Sequence, residues 1–456
     1  MSQPFAGQEP PAPPRRPGPS WRAAVAGALL IALLAGSLGY AVADQRLASA
    51  LRGLPTTSED AATLRQLQGT PAFQDFLQTL TLIRTRYVDA PDMQKVLAGA
   101  TSGALAALHD PYSVYFDRSA FTSFSSDTTG EYGGIGVQVT EQGSYVVVQT
   151  PFPKTPSATT PYEGAKPGDP VGLRPGDRIV QVDGRNVTGT GVDAVAQMIR
   201  GKPGTTVVLG VDRPLPGGHD VQHLVFRMVR ANVVVPTVQS KMLPGSVGYL
   251  QISQFTEKTP PLVRQALDRL RGQGMRALVL DLRYNPGGSL DAVEQIAGMF
   301  LPGGSPIVHT VDRSGRRQTA TVPGDGKGIG VPLAVLVNGA SASASEILSG
   351  ALQDLGVGTL VGERTFGKGL VQQIYPFPDG TGIKLTVERY LTASGRDINK
   401  HVDPRTGQTV GGIQPNVTVK APSNWDTSLM GKPGQDPQLD AALGLLEQQL
   451  RGGAGG

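Results

Sequence analysis

The chain has 456 residues, a formal net charge of +4 and no cysteine. The absence of cysteine excludes disulfides, thiolate zinc sites, cysteine-ligated iron–sulfur clusters and a cysteine nucleophile. So small a charge, without a long run of lysine or arginine, does not indicate a nucleic-acid partner. With 39% hydrophobic and 17% charged residues the composition is that of a folded protein, and the length predicts several domains.

The N-terminal segment predicts an association with a membrane. Residues 1–22 are rich in proline and are predicted to form a disordered cytoplasmic tail. Residues 23–43 carry no charged side chain and have about the length of a membrane-spanning helix. The preceding arginines favour an internal N-terminus, whereas Ala41-Val42-Ala43 also fits a signal-peptidase site. A retained anchor and a cleaved signal both remain open, and either one places the body of the protein in the cell envelope, outside the cytoplasm.

The next two segments differ in their hydrophobic period. Residues 44–131 are predicted to be helical, because apolar residues recur at helical spacing between Phe73 and Leu108, with a break at Tyr87–Pro91. Residues 132–235 contain short apolar runs bounded by glycine and proline. These runs predict a strand-rich module of roughly 100 residues.

Residues 236–423 alternate apolar strands with helices. Apart from Asp281, the predicted strands Ala277–Leu282 and Val331–Val337 contain only apolar residues, which is typical of strands covered on both faces. The alternation predicts an α/β-layered core, so that the fold class is mixed α/β with an inserted strand-rich domain. Residues 424–456 are predicted to form a linker and a final amphipathic helix at Pro437–Leu450.

Chemistry is expected at the turn that follows Val331–Val337, where the sequence reads Asn-Gly-Ala-Ser-Ala-Ser-Ala-Ser-Glu. A strand-to-helix turn of small residues exposes a serine hydroxyl and directs helix N-terminal amides at developing negative charge. The same turn also fits a purely structural helix cap, with Ser345 as the capping residue. The motif G-x-S-x-G itself is absent.

A serine nucleophile needs a base, and none of the five histidines has a clear triad context. Lys368 lies between two glycines, and a buried lysine with a lowered pKa acts as a neutral base in Ser–Lys pairs. A loop lysine without a catalytic role is the alternative. The Gly287-Gly288 pair, which follows the strand before the serine strand, offers amides to an oxyanion. Neither a phosphate-binding glycine loop nor HExxH is present, so no nucleotide, metal or other cofactor is expected.

These turns, in this order, resemble the carboxyl-terminal processing protease family over about residues 73–420. The similarity rests on the following segments: Asp110–Ser113, Gly134–Gly136, Gly172–Asp177, Asp281–Gly288, Ser341–Ile347, Gly362–Gly369 and Ser394–Arg396. The resemblance implies Ser343 as the nucleophile, Lys368 as the base and Gln372 as the residue that orients the lysine. It also implies an oxyanion hole formed by the amide of Ala344 and by either Gly287 or Gly288.

The strand-rich module resembles a PDZ domain. Gly133, Gly134, Ile135 and Gly136 correspond to its carboxylate-binding loop, where amides capture a peptide C-terminus while the peptide adds a strand. Arg174 resembles a position that senses bound peptide in relatives, although a surface loop arginine is the plainer interpretation. The segment Pro151–Lys166 is longer than usual for this fold and leaves open whether the groove is covered.

The sequence therefore predicts a membrane-associated, envelope-facing serine endopeptidase that cleaves exported or unfolded proteins near their free C-termini. The alternatives are a catalytically silent PDZ adaptor that retains the protease fold and a lyase on a related core. The natural substrate, the oligomeric state and any adaptor protein are not determined by the sequence.

Overall fold

The computed structural model describes residues 58–215, 220–423 and 425–452. The predicted tail at 1–22 and the predicted anchor or signal at 23–43 lie outside these ranges. None of the helices within the described ranges is long and apolar enough to cross a membrane. The described residues divide into two compact units, with the boundary between residues 97 and 98.

In the first unit, α1 (Ser58–Gln68) is followed by α2 (Pro71–Arg86). Helix α2 begins with a proline in its first turn, and the Thr70 hydroxyl accepts a hydrogen bond from the Phe73 amide, which caps the helix. Its apolar residues recur at helical spacing as expected, yet no residue of α2 is buried.

Helix α3 (Met93–Ala106) crosses the boundary between the units, and β1 (Val114–Phe116) and α4 (Arg118–Thr129) follow it. The region predicted to be helical therefore also contains a strand. This strand pairs with a distant partner near Lys384, which local periodicity does not reveal. Asp117 caps α4 by accepting a hydrogen bond from the Ala120 amide at 2.8 Å.

The strand-rich module is an antiparallel sheet accompanied by two short helices. Its elements are β2 (Glu131–Gly134), β3 (Val137–Gln142), β4 (Tyr145–Pro151), α5 (Pro156–Thr159), β5 (Arg178–Val182), β6 (Arg185–Asn186), α6 (Val192–Ile199), β7 (Thr206–Pro214), β8 (Val221–Val229) and β9 (Ala231–Val234). The sheet order is β3-β4-β5-β7-β8, with β6 beside β5. Alternate residues of β7 and β8 enter the core, among them Leu209 and Phe226. Strands β2 and β9 pair with each other at the point where the chain enters and leaves the module.

The remainder forms the α/β core. Its elements are β10 (Val238–Leu243), β11 (Val247–Ile252), α7 (Thr259–Gly272), β12 (Ala277–Asp281), α8 (Leu290–Phe300), β13 (Pro306–Asp312), β14 (Arg317–Thr321), β15 (Leu333–Val337), α9 (Ala344–Asp354), β16 (Thr359–Gly362), β17 (Leu370–Pro376), β18 (Gly382–Thr392), β19 (His401–Val402), β20 (Thr409–Val410), β21 (Val417–Thr418) and α10 (Pro437–Gly452).

The main sheet has the order β10-β11-β12-β15-β16-β21 and is parallel from β11 to β21. Both of its faces are covered. Leu278 and Leu280 pack with α7, α8 and α9, whereas Ala277 and Val279 pack with α10. Because β12 and β15 are adjacent and parallel, the turns that leave their carboxyl ends meet at one edge of the sheet.

A second sheet was not predicted from the sequence. Strands β1, β18, β13 and β14 form an antiparallel sheet in this order, and β17 pairs with β18. Its strands are mostly half-buried and carry mixed polar residues, so they lack the continuous apolar runs of the main sheet.

Candidate active site

Ser343 occupies a strained turn between β15 and α9. Its backbone has φ of 55° and ψ of −116°, a conformation that residues other than glycine rarely adopt. The neighbouring Ser341 and Ser345 are fully buried, and their hydroxyls donate to the carbonyl oxygens of Leu282 and Asn285, each at 2.9 Å. Ser343 is half-buried, so it is the accessible serine of the three.

The serine turn is fixed against the turn that follows β12. The Ala342 amide donates to the Asn285 carbonyl at 3.0 Å, and the Tyr284 amide donates to Asn338 Oδ1 at 3.0 Å. Asn285 is itself fully buried and donates through Nδ2 to the Ile252 carbonyl at 2.8 Å. These bonds hold the two turns in one arrangement.

The two glycines of the second turn have different surroundings. A Cβ atom on Gly287 would lie 2.8 Å from the Cβ of Ser343, and one on Gly288 would lie 2.0 Å from the Phe255 carbonyl oxygen. The Gly287 amide already donates to Asn285 Oδ1 at 2.9 Å. Within the described part of the chain, neither the Gly288 amide nor the Ala344 amide donates a hydrogen bond. Of the two glycines, Gly288 therefore has the available donor.

Glu346 joins the serine turn to the lysine turn. Its Oε2 accepts hydrogen bonds from the Ser343 and Lys368 amides, both at 2.9 Å. Its Oε1 accepts from the Thr365 hydroxyl at 2.6 Å and from the Gly367 amide at 2.7 Å. Burial raises the pKa of Glu346, and these donors oppose that rise.

No role was predicted for Glu346 from the sequence. Its position at the third residue of α9, where a glutamate reaches back to the capping residue, was the signal that would have suggested a structural contribution. The contact with the Lys368 amide connects residues 22 positions apart and has no local signature.

Lys368 lies in a half-buried position beside an aromatic ring. Its Nζ is 4.7 Å from the centroid of the Tyr112 ring. Burial lowers the pKa of Lys368, and the positive charge of Lys384 lowers it further, whereas Asp110 and Glu346 act in the opposite direction. The lysine is thus poised to lose its proton more readily than a solvent-exposed lysine.

Gln372 lies on β17, and its Nε2 donates to Thr386 Oγ1 at 3.2 Å. Among the described residues, no hydrogen bond joins Gln372 to Lys368. The role of Gln372 in orienting the lysine therefore stays a prediction.

A cavity of about 930 Å³ opens beside the lysine turn. Tyr112, Gly367 and Leu370 line it, together with residues of β18. Its size is within the range of ordinary ligand-binding clefts.

The glycines predicted to bind a carboxylate belong to two different structures. Gly133 and Gly134 lie in β2 and pair with β9, whereas Ile135 and Gly136 form the turn before β3. Gly136 has φ of 76°, and within the described residues neither its amide nor that of Ile135 donates a hydrogen bond. Strand β3 is at the edge of its sheet, the position at which a peptide adds as a further strand.

The long segment at 151–166 braces this turn from the carbonyl side. The Ser157 amide donates to the Ile135 carbonyl at 2.8 Å, and the Phe152 amide donates to the Gly136 carbonyl at 2.7 Å. Arg174 is exposed, and its amide donates to Asp177 Oδ2 at 2.8 Å. Its side chain makes no ion pair within the described residues.

Comparisons with known proteins agree with this architecture. Residues 246–419 match the model of peptidase family S41, residues 165–213 match that of the PDZ domain, and residues 34–120 match that of the N-terminal domain of the activating protease CtpB.

The carboxy-terminal-processing protease of Bartonella bacilliformis is 34% identical over 411 residues, which cover 87% of this chain and 82% of that protein. The carboxy-terminal processing protease CtpB of Bacillus subtilis is 35% identical over 346 residues, or 75% of this chain and 66% of that protein. Among solved structures, the photosystem II D1 C-terminal processing protease is 31% identical, with coverage of 80% and 90% and a TM-score of 0.45.

The matched core is that of a serine peptidase, and the chain also carries a PDZ domain. The chain belongs to the carboxy-terminal processing proteases of peptidase family S41. Its substrates are accordingly peptides and proteins.

Proposed function

We propose that this chain cleaves proteins near their C-termini with Ser343 as the nucleophile and Lys368 as the general base. Family membership supports the reaction class. The contact that carries the residue assignment is that of Glu346, whose carboxylate accepts hydrogen bonds from the amides of both Ser343 and Lys368. Since these turns are distant in sequence, their attachment to one buried carboxylate supports a single catalytic centre.

In this mechanism the neutral amine of Lys368 takes the proton of the Ser343 hydroxyl as its oxygen attacks the peptide carbonyl. The tetrahedral intermediate then expels the amine of the leaving peptide, which receives that proton from Lys368. A water molecule, deprotonated by the same lysine, hydrolyses the acyl-enzyme and restores the serine. The lowered pKa of Lys368 supports this role, because a lysine of ordinary pKa is almost entirely protonated near neutrality.

The amides of Ala344 and Gly288 would stabilise the oxyanion. Both are available as donors, and a Cβ on Gly287 would lie only 2.9 Å from the Ala344 nitrogen, so the glycine turn approaches the helix start closely. Each donor of this kind is worth about 3–4 kcal/mol in the transition state. Gly287 then serves close packing rather than hydrogen bonding.

The PDZ domain would bind the free C-terminus of the substrate along the edge of β3, with the amides of Ile135 and Gly136 directed at the carboxylate. Arg174 would relay the occupancy of this groove to the catalytic centre. We place the body of the enzyme in the cell envelope, with residues 23–43 as an anchor or signal, on the basis of the apolar composition of that segment.

Cleavage of an unfolded protein by the purified full chain in detergent tests this proposal. Ser343→Ala and Lys368→Arg should each abolish turnover, because arginine keeps the charge but does not lose its proton near neutrality. Ser345→Ala removes a neighbouring buried hydroxyl and should retain measurable turnover. Normal turnover in Ser343→Ala would refute the mechanism, and an inactive wild-type chain that still binds peptides would favour the silent PDZ adaptor.

A further inference from the structure

The segment Asp110–Ser113 has no role in the mechanism described so far, although it contains the ring nearest to the catalytic lysine. Lys368 Nζ lies 4.7 Å from the centroid of the Tyr112 ring, which is within the range of a cation–π contact. The side chain expected to orient the lysine, Gln372, bonds to Thr386 instead. We infer that Tyr112 is a positioning residue for Lys368, whose ring face holds the lysine amine in place through its cationic form.

The ring of Tyr112 has a rigid support. The Tyr112 amide donates to Asp110 Oδ1 at 3.0 Å, and the Ser113 hydroxyl donates to Asp110 Oδ2 at 2.6 Å. The Ser113 oxygen also accepts a hydrogen bond from the Thr386 amide at 3.0 Å. The following strand β1 pairs with β18. Tyr112 is therefore linked to β18. Strand β17, which begins two residues after Lys368, pairs with the same strand.

In the described ranges, no charged side chain around Lys368 fixes the position of its amine, which leaves this role to the Tyr112 ring. Asp110 and Glu346 face Lys368 with negative charge and Lys384 faces it with positive charge, yet none of them makes an ion pair with its Nζ within the described part of the chain. Burial and the charges of Asp110 and Glu346 raise the pKa of Tyr112, so the phenol is neutral near neutral pH. A neutral ring presents the negative face that attracts an ammonium group.

This contact has a defined consequence for the catalytic cycle. The ring attracts the protonated lysine and not the neutral amine, so it raises the pKa of Lys368 relative to an aliphatic residue at the same place. It also returns the lysine to one position each time the side chain carries the proton. The inference rests on the proposed function, because it requires that Lys368 is the base.

A series of ring variants separates this electrostatic role from simple packing. Tyr112→Phe keeps the ring face and should keep both the turnover and the acid limb of the pH profile of kcat/KM. Replacement of Tyr112 by 3,4,5-trifluorophenylalanine keeps a ring of similar size but weakens its negative face. It should move the acid limb to lower pH by about 0.4 to 1 unit. Tyr112→Leu should move the limb in the same direction and reduce kcat by roughly 10- to 100-fold, with KM little changed.

The chain offers a matched control. Lys400 Nζ lies 5.5 Å from the Phe366 ring centroid, a second lysine–aromatic pair close to the same turn. Phe366→Leu removes that pair and should leave the acid limb unchanged.

The outcomes that overturn the inference are specific. A trifluorophenylalanine variant with the wild-type turnover and the wild-type acid limb of kcat/KM would exclude a cation–π role. An acid limb that moves to higher pH would show that the ring acts only by excluding water. Lys368→Ala in the same assay distinguishes the two proposals. If it keeps turnover, the proposed mechanism itself fails; if it is inactive while the ring series has no effect, only the role of Tyr112 fails.

Discussion

Two glycine-rich turns of this protein are proposed to present backbone amides to a negative charge, and the surrounding residues support them in different ways. The Gly287-Gly288 turn is held by buried side chains, chiefly Asn285, and a Cβ on Gly288 would collide with the Phe255 carbonyl. The Ile135-Gly136 turn is braced by the polar segment 151–166 and lies beside an open strand edge.

The difference follows from what each turn is proposed to bind. An oxyanion exists only during the reaction, so its donors must be fixed beforehand, and a lost donor lowers kcat. A peptide carboxylate is already charged when it binds, so a lost donor weakens binding instead. Loss of a donor in the Gly287-Gly288 turn should therefore lower kcat, and loss of a donor in the Ile135-Gly136 turn should raise KM. The following experiments test this distinction.

The largest effect is expected at Gly288. In Gly288→Ala the new methyl carbon would lie 2.0 Å from the Phe255 carbonyl oxygen, and the φ of residue 288 is 143°. The amide must move, and kcat should fall roughly 100- to 1,000-fold with a smaller change in KM.

The control for backbone strain is Gly274→Ala. Gly274 also has a positive φ, of 81°, but no atom lies within 4 Å of the place that its new methyl group would occupy, so the variant bears the strain without the collision. It should keep its kcat. A Gly288→Ala enzyme within tenfold of the wild-type kcat would contradict the assignment of this amide to the oxyanion hole.

Glu346→Gln should give the next largest effect. The amide group of glutamine offers one oxygen where the carboxylate has two, so donors among Ser343, Lys368, Thr365 and Gly367 lose a partner. Each unsatisfied buried donor costs about 1–3 kcal/mol of folding free energy. We expect a lower melting temperature and a fall in kcat of roughly 10- to 100-fold, measured by calorimetry and steady-state kinetics.

Glu363→Gln is the matched control, since Glu363 accepts a hydrogen bond from the Ala421 amide at 2.9 Å outside this cluster. It should retain the wild-type kcat. Equal activity of both variants would show that the link between the serine and lysine turns does not contribute to catalysis.

For the PDZ turn, paired peptides that differ only in a free or amidated C-terminus measure the contribution of the carboxylate. Loss of the charge should lower kcat/KM roughly five- to hundredfold through KM, because the amides of Ile135 and Gly136 lose their anionic partner. If Arg174 relays occupancy of the groove, Arg174→Ala should reduce the difference in kcat/KM between the free and the amidated peptide. Equal rates for the two peptides, with an enzyme whose Ser343 is active, would mean that this turn does not read the carboxylate.

The smallest effect concerns the pH profile. A base must be neutral to act, so activity should be present above the pKa of Lys368 and be lost as the pH falls through it. Lys384 lowers that pKa by like-charge repulsion. Lys384→Met should therefore raise it and move the acid limb of kcat/KM to higher pH by several tenths of a unit. The free-to-amidated peptide ratio should not change, and a limb that moves to lower pH would contradict this account of the lysine.

The sequence predicted the alternating strands and helices of the core, the strand-rich module and the final helix because their signals are local. The helix predicted at Pro437–Leu450 is observed at Pro437–Gly452, and the apolar strand before the serine turn is observed at Leu333–Val337. The second sheet was missed because β1 pairs with residues near 384, and half-buried mixed strands have no distinctive period.

At the candidate site, the sequence by itself determined which residue types are available: three serines in a turn, a lysine between glycines and a glycine pair after a buried strand. The family resemblance implied Ser343, and the tertiary structure supplies a physical difference between the three serines, because Ser341 and Ser345 are buried and their hydroxyls bond to distant carbonyls. The tertiary structure likewise brought Glu346 to the lysine turn and Tyr112 to the lysine itself. Such contacts join segments far apart in the chain, and their energies depend on packing that no local pattern encodes.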